Sequence, residues 1–414
     1  MLEKIMKIGE REGFDVEVYY VEGESSSIEL DGKSVDTSEY YKSYGIGVRV
    51  LKDNKVGFAY SNKLDESIVY KAMKNLVYDE YVSFSYPDKY KNPKIFSKDV
   101  ENLDETDLME YLIEMRDLAI EKGAEVLSGS VDKEIGYFRL INSNGVDVEE
   151  TSTSFSAGIS IMLDNEPSHE YKTSIKLFDT KQLTEKALKL AELSKNGVKI
   201  KYKGNIVLSP RALRSLLGYT LIPAFSAENV QRNRSYLKGK LGEEIFNNSI
   251  TIVDDGTIDY GLASGKVDGE GTKTQRTVLV ENGILKNYLY DIKRANKEGK
   301  ESTGNGLRSY SSIPHVGTTN IIIESSKYSL NDFDEYIYIN NVIGAHTSNP
   351  ITGDFSVEIQ NSYLYKNGEI TPIKKGLFGG NIFELFKEAI PLNDIEQRGK
   401  LIAPSILFNG EIIS

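Results

Sequence analysis

The chain has no cysteine and no tryptophan, and only three histidines and ten prolines among its 414 residues. Without cysteine there are no disulfides, no thiolate-held zinc and no thiol nucleophile. With histidine only at 169, 315 and 346, a metal centre built on several imidazoles has few candidates. No segment approaches the roughly 18 apolar residues needed to span a bilayer. The opening "MLEKIMKIGEREGFDVEVYY" mixes charge with apolar residues at helical spacing, unlike a secretory leader. A cytoplasmic location is therefore the default expectation. Basic charge is in the minority, with 50 Lys and Arg against 62 Asp and Glu and a net charge of −12. The acids are spread along the chain, which argues against a binder of nucleic-acid backbones.

What is present describes an ordinary globular protein, 39% hydrophobic and 27% charged. The length suits two domains better than one. Its 26 tyrosines fit sheet surfaces and interfaces.

An amphipathic helix opens the chain and stops near Gly13. A strand "DVEVYYVEG" follows, then "SSSIELDGKSVDTSEY", an alternating pair turning at Asp31-Gly32. "YGIGVRVLKDNKVGFAY" turns at Asp53-Asn54, and a helix "KLDESIVYKAMKNLV" closes this unit. Residues 81–103 are polar and aperiodic and read as a long surface connection. The helix "DETDLMEYLIEMRDLAIEKG" carries Leu108, Leu112, Met115 and Ala119 on one stripe. Strands are expected at 124–132, 135–143, 153–163 and 170–178, and a helix "TKQLTEKALKLAELSKNG" ends the half. Residues 1–198 thus read as an N-terminal α+β domain of meander sheets and helices, in two units near 1–80 and 104–198.

Residues 199–414 read as a β-rich domain, sandwich-like or barrel-like. Its hairpins are expected at Asn282-Gly283, Asn367-Gly368 and Asn409-Gly410. Two helical stretches interrupt it. "SPRALRSLLGYTLIPAF" has Ser209 as N-cap and Pro210 at the first helical position, and "GGNIFELFKEAI" lies near the end.

His169-Glu170 is the start of a zinc-peptidase helix motif in letters only. The following "YKTSIKLFD" has no second histidine and alternates like a strand, so the pair reads as exposed strand residues. His315 and His346, with Asp354 or Glu358, would form a facial metal triad only if neighbouring strands gathered them. Lone loop histidines are more often hydrogen-bonded structure. Asp354 reads equally well as a turn cap. Asp268 and Glu270, with Gln275 and Arg276, sit in "ASGKVDGEGTKTQRTVLVENG", either an acid/base pair or a solvated glycine loop. "STGNGLRS" offers Ser302, Thr303, Asn305 and Arg308 on a loop suited to an anion or a peptide carboxylate. It lacks the Gly-Lys-Ser/Thr ending of a phosphate loop, and no Gly-x-Ser-x-Gly elbow occurs.

The stretches "DGTIDYGLASGKVDGEGTKTQRTVLVENGILKNYLYD", "STGNGLRS" and "TGDFSVEIQNSYLYKNGEITPIKKGLFGGNIFELF" together resemble the C-terminal domain of the TldD/PmbA family. "SYGIGVRVLKDNKVGFAYSNKLDESIVYKAM" resembles its first domain. The resemblance implies a two-branched family. The TldD branch holds a metal with a His-Glu-x-x-x-His helix and a downstream cysteine. Its TldE (PmbA) partner lacks these ligands. In register, Gly218 and Tyr219 stand where His-Glu would be and Pro223 where the second His would be, and no cysteine exists. None of these binds zinc, and Pro223 ends or kinks a helix. "DGEGTKTQRT" and "TGDFSVE" also look like the TldE branch.

The resemblance therefore implies a subunit with no metal of its own and no catalytic residue, beside a zinc-bearing TldD-type partner. That complex would degrade or trim unstructured peptides. Substrate would lie extended along sheet edges in an internal cavity, with Asp268, Glu270, Gln275, Arg276, Thr303, Asn305 and Arg308 as candidate lining residues. The same loops would otherwise buttress a dimer interface. Two other readings remain open: a stand-alone homodimeric peptide-binding scaffold, and an autonomous hydrolase using Asp268/Glu270 or a His315/His346 metal.

Overall fold

Apolar and polar residues alternate through the first half, and the result is one antiparallel sheet. The computed structural model describes residues 1–413. Its first strands are β1 (Asp15–Asp31), β2 (Ser34–Lys52), β3 (Lys55–Ser61), β4 (Val77–Tyr78), β5 (Glu125–Asn142), β6 (Asp147–Leu163) and β7 (Glu166–Ser174). They form a seven-stranded sheet in the order β4-β3-β2-β1-β5-β6-β7. The pairing of β1 with β5, from Glu17 opposite Asn142 to Asp31 opposite Ser128, joins the two N-terminal units into that sheet.

Helices cover one face of the sheet in two groups. α1 (Leu2–Arg11) and α2 (Ile68–Lys74) pack over Val16, Val18, Ile46, Val48 and Val50. α3 (Lys98–Glu101), α4 (Glu105–Glu121) and α5 (Lys181–Glu192) cover Ile28, Leu30, Val126, Val131 and Ile159. Asp104 starts α4 with a capping box. Its carboxylate accepts from the Thr106 and Asp107 N–H groups, and Asp107 accepts from the Asp104 N–H.

Three expectations for this half are corrected. The segments 15–31 and 125–142, each expected to be divided, are single strands. The polar centre of β1 keeps full ladders on both sides, so Gly23, Ser25 and Ser27 mark no turn. The last strand sits at 166–174 because Asp164 and Asn165, with φ of 52° and 65°, form the hairpin turn before it. Residues 81–103 are not simply a surface connection, since Phe84, Ser85, Ile95, Val100 and Leu103 are buried. The backbone there finds partners in the sheet. Asn144 Nδ2 donates to the Phe84 carbonyl at 2.9 Å, Asn142 Nδ2 to that of Ser85 at 3.0 Å, and the Thr153 N–H to that of Ile95 at 3.0 Å.

The second half contains β8 (Lys201–Leu208), β9 (Ile252–Asp255), β10 (Arg276–Glu281), β11 (Ile284–Leu285), β12 (Gly306–Leu307), β13 (His315–Val316), β14 (Ile321–Ile323) and β15 (Glu335–Ile343). It continues with β16 (Asp354–Lys366), β17 (Glu369–Ile373), β18 (Gly376–Asn381), β19 (Ile390–Pro391), β20 (Glu396–Arg398), β21 (Leu401–Ala403) and β22 (Ile406–Ile413). Strands β15, β8, β22, β18 and β16 close into a barrel through the β15–β16 pairing, and β17 extends β16. A second sheet runs β11-β10-β9-β14-β21-β20. The main core includes Leu213, Leu216, Phe225, Phe378, Phe383 and Phe408. The chain is thus α+β, with a β-rich, barrel-containing second half and few helices.

α6 (Pro210–Leu217) begins as expected, with Ser209 Oγ accepting from the Ala212 N–H at 3.1 Å. α7 (Ala227–Gln231) and α8 (Ile292–Glu298) were not expected, and the helix expected near 380–390 shrinks to α9 (Ile382–Leu385). Asn282-Gly283 and Asn367-Gly368 make hairpin turns, all four residues having positive φ. Asn409-Gly410 does not turn. It lies inside β22, opposite Asn205 and Gly204 of β8. A Cβ on Gly410 would stand 2.9 Å from Ile206 Cδ1 and 3.1 Å from Phe378 Cε2, so this glycine serves close packing.

Candidate functional site at the domain junction

Two strands of the N-terminal sheet each carry one charge inside an apolar run, Val16-Glu17-Val18 and Val48-Arg49-Val50. Register places Glu17 and Arg49 directly opposite each other. Arg49 grips both Glu17 oxygens, Nε to Oε1 and Nη2 to Oε2, each at 2.8 Å. Its Nη1 reaches Glu270 Oε1 of the C-terminal domain at 3.3 Å. Arg308 Nη1 also donates to Glu17 Oε1, and the Arg308 guanidinium lies 4.6 Å from the centre of the Tyr19 ring. Glu270 Oε2 accepts the Ile292 N–H at the start of α8, at 2.8 Å. Asp268 holds the glycine loop, accepting from the N–H groups of Glu270, Thr272 and Gly306 at 2.9, 3.0 and 2.7 Å. Gly306 is required here, because a Cβ would stand 2.4 Å from Glu270 Oε2.

The electrostatics follow from burial. Burial opposes the charge on Glu17, but Arg49 and Arg308 overcome it and hold the carboxyl below its usual range. Glu270 has weaker compensation from Arg49, and burial pushes it up to about 7. Asp268 is raised well above the carboxylate range, by burial first and then by the charge of Glu270.

A second polar centre adjoins the first. Asp254 on β9 accepts from Asn305 Nδ2 at 2.9 Å, from Thr319 Oγ1 at 2.6 Å and from the Thr319 N–H at 2.8 Å. Thr303 Oγ1 donates to Asn305 Oδ1 at 2.7 Å. Burial outweighs these donors and pushes Asp254 up to about 6. Its native pKa therefore exceeds the unfolded value, and its contribution to stability is complete below the unfolded pKa and lost as pH rises through the native one. Urea titrations between about pH 4 and about pH 7 should show wild type losing about 2 kcal/mol more than Asp254→Asn across that range. Parallel pH profiles for the two proteins would contradict this assignment.

The third element is the far edge of the sheet. Carbonyls of Pro167, His169 and Tyr171 face away from β6. They accept from Asn361 Nδ2, Arg211 Nη1 and Arg398 Nη1 of the C-terminal domain. Glu170, read from sequence as exposed, is fully buried and bonded to Arg398 Nη1. Arg211 and Lys186 lie 3.7 and 3.9 Å from its other oxygen. The C-terminal domain thereby closes this sheet edge against further pairing.

Between the sheet and the loop Gly261–Gly265 lies a cleft of about 500 Å³. Its ionisable lining, tyrosine aside, is entirely acidic: Glu22, Glu134, Glu150 and Asp268. The expected lining residues therefore separate into groups. Asp268, Glu270 and Arg308 meet in the first charge network, and Asp268 also faces the cleft. Thr303 and Asn305 belong to the Asp254 centre. Gln275 is half-buried, its carbonyl accepting from the Gly256 N–H at 3.3 Å. Arg276 is exposed and pairs with Glu324 at 3.2 Å, apart from the others. Glu17, Arg49, Asp254, Glu170 and Arg398 were missed. For Glu17 and Arg49 a signal exists, a lone charge within an apolar strand.

The metal-motif positions do not share a helix. α6 ends at Leu217 with Gly218 as its cap, Tyr219 is exposed, and Pro223 lies in the 3₁₀ turn Ile222–Phe225. His315 lies on β13 and His346 in the turn Ala345–Thr347. Among the described residues, no group of three or more His, Cys, Asp and Glu side chains could hold a metal ion. The donor set at 218, 219 and 223 does not fit one either. Asp354 accepts from Thr352 Oγ1 at 2.6 Å and Asn381 Nδ2 at 2.8 Å, fastening a turn.

Fold and site together define a chain whose N-terminal sheet and β-rich second half are locked by buried charges around an acid-lined cleft. Family models described as PmbA/TldA metallopeptidase match in three successive parts. Domain 1 matches residues 16–79, the central domain 98–195 and the C-terminal domain 201–414. The chain belongs to the PmbA/TldD metallopeptidase family. It is 67% identical over 414 residues to the uncharacterized protein MJ0231 of Methanocaldococcus jannaschii, covering 100% of both chains. Metalloprotease MJ0996 of the same organism is 28% identical over 426 residues, covering 95% of this chain and 92% of its own. The crystal structure of TldE from Thermococcus kodakarensis superposes with a TM-score of 0.92 at 26% identity, covering 100% of this chain and 99% of that one. No helix among the described residues is long and apolar enough to cross a membrane.

Proposed function

We propose that this chain is the metal-free, TldE-like subunit of a two-component TldD/TldE metallopeptidase acting on unstructured peptides. The observation that carries the reading is the segment 217–223. Glycine, tyrosine and proline stand at the motif positions, and the helix has already ended before them. A chain without cysteine also lacks the family's third ligand. The full-length likeness to a TldE structure supports the same branch. So does the pair of relatives in Methanocaldococcus jannaschii, one resembling this chain closely and one named a metalloprotease. Zinc then belongs to the TldD-type partner. This chain supplies interface and cavity wall, the acidic cleft favouring peptides that bring an ammonium or basic side chains.

Mixing tests the proposal. The purified chain should bind no stoichiometric zinc and leave an unfolded peptide intact. Adding a TldD-type chain should give a co-eluting complex and cleavage. Tight zinc in the isolated chain, or no complex and no gain of activity on mixing, would sink it.

A further inference from the structure

A separate cavity of about 450 Å³ lies between the β7 edge, the linker before β8, and strands β15 to β17. In a protein of net charge −12, its lining is basic, with Lys199, Arg211, Lys374 and Lys375 against the single carboxylate of Glu166. Lys375 is engaged by Glu358 at 3.3 Å. The three lysines are exposed, whereas the Arg211 side chain is only 8% exposed.

Arg211 is short of negative charge. The one buried carboxylate near it, Glu170, is bonded to Arg398, and Arg398 has a second acid in Glu396 at 3.1 Å. Arg211 is left with a carbonyl bond to His169, the face of the Tyr171 ring 5.4 Å away and a 3.7 Å approach to Glu170. Two buried guanidiniums thus share one buried carboxylate. The contrast shows in their proton affinities. For Arg398 the pull of Glu170 overcomes burial and raises it, while for Arg211 burial outweighs that pull and lowers it. A desolvated cation without full compensation calls for a counter-anion.

We propose that this cavity binds a small organic anion, its carboxylate or phosphate drawn by Arg211, Lys199 and Lys374. Its apolar body would lie on Leu127, Pro167, Ile359 and Ile373. The site is distinct from the acidic cleft and does not depend on the subunit role proposed above.

Titration calorimetry of the full chain in low salt tests this with three probes: N-acetyl-leucine, its uncharged amide, and inorganic phosphate. One saturable site per chain for the acid or for phosphate, and none for the amide, is expected. Binding of the acid alone identifies a carboxylate ligand, and binding of phosphate alone a phosphoryl one. The exposed double variant Lys199→Gln/Lys374→Gln should fold normally and weaken binding by about tenfold or more, as expected for lost charge-assisted contacts. Arg211→Gln should abolish binding, and if it fails to fold, the lysine variant still decides. Failure of both anions to bind, equal binding of the amide, or affinity unchanged in the lysine variant would overturn the proposal.

Discussion

Glu17→Gln lowers the unfolding free energy by about 3–5 kcal/mol, the loss expected when one partner of a buried ion pair is removed and the other stays desolvated. Glu17 is fully buried and is the carboxylate shared by Arg49 and Arg308. Glutamine keeps the shape but leaves two guanidiniums facing one another across a neutral amide. Glu270 replaces only part of the lost compensation, since it reaches Arg49 at 3.3 Å and burial opposes its charge. The measurement is the urea midpoint at neutral pH, with the slope unchanged if only stability has moved. The triple variant Glu17→Met/Arg49→Met/Arg308→Met should be less destabilised than Glu17→Gln, because replacing the carboxylate together with both guanidiniums that share it leaves neither of them orphaned. A single variant with near-wild-type stability would show that the network contributes little to the junction.

Glu170→Gln should produce a loss of similar size, about 3–5 kcal/mol, at the β7 edge of the sheet. There the carboxylate serves Arg398 directly and Arg211 and Lys186 at longer range. Its removal leaves Arg398 and Arg211 buried together against the β7 carbonyls. The control is Glu396→Gln. That carboxylate is 41% exposed, so its loss should stay within about 1 kcal/mol. Equal effects at 170 and 396 would mean that burial at this edge does not set the energetics.

Much of the fold was legible along the chain. Alternation marked most of the N-terminal strands, and Ser209 announced the helix it caps, because caps act within three residues. Turn chemistry succeeded at Asn282-Gly283 and Asn367-Gly368 and failed at Asn409-Gly410. There the neighbours Ile206 and Phe378 decide the glycine's use. The polar centre of β1 was read as a break because local pattern does not reveal that both flanking strands continue past it.

The candidate site was legible only in part. Asp268, Glu270, Thr303, Asn305 and Arg308 were found as polar residues in glycine loops, but their roles as ties between domains were not. Glu270 meets Arg49 across 221 positions, Glu170 meets Arg398 across 228, and Arg308 meets Glu17 across 291. No local pattern encodes such a meeting.

The sequence alone determined which chemistry is available. It supplies no cysteine and therefore no thiolate, and glycine and proline at 218 and 223 carry no donor side chain however the chain folds. Tertiary structure alone decided which charges are compensated. Burial turns Glu17 and Glu170 from ordinary strand acids into the ties that hold the domains, and it leaves Arg211 at a cavity wall with less negative charge than it needs. A charge matters according to the water it has lost and the partner it has gained, and both are set only when distant segments pack.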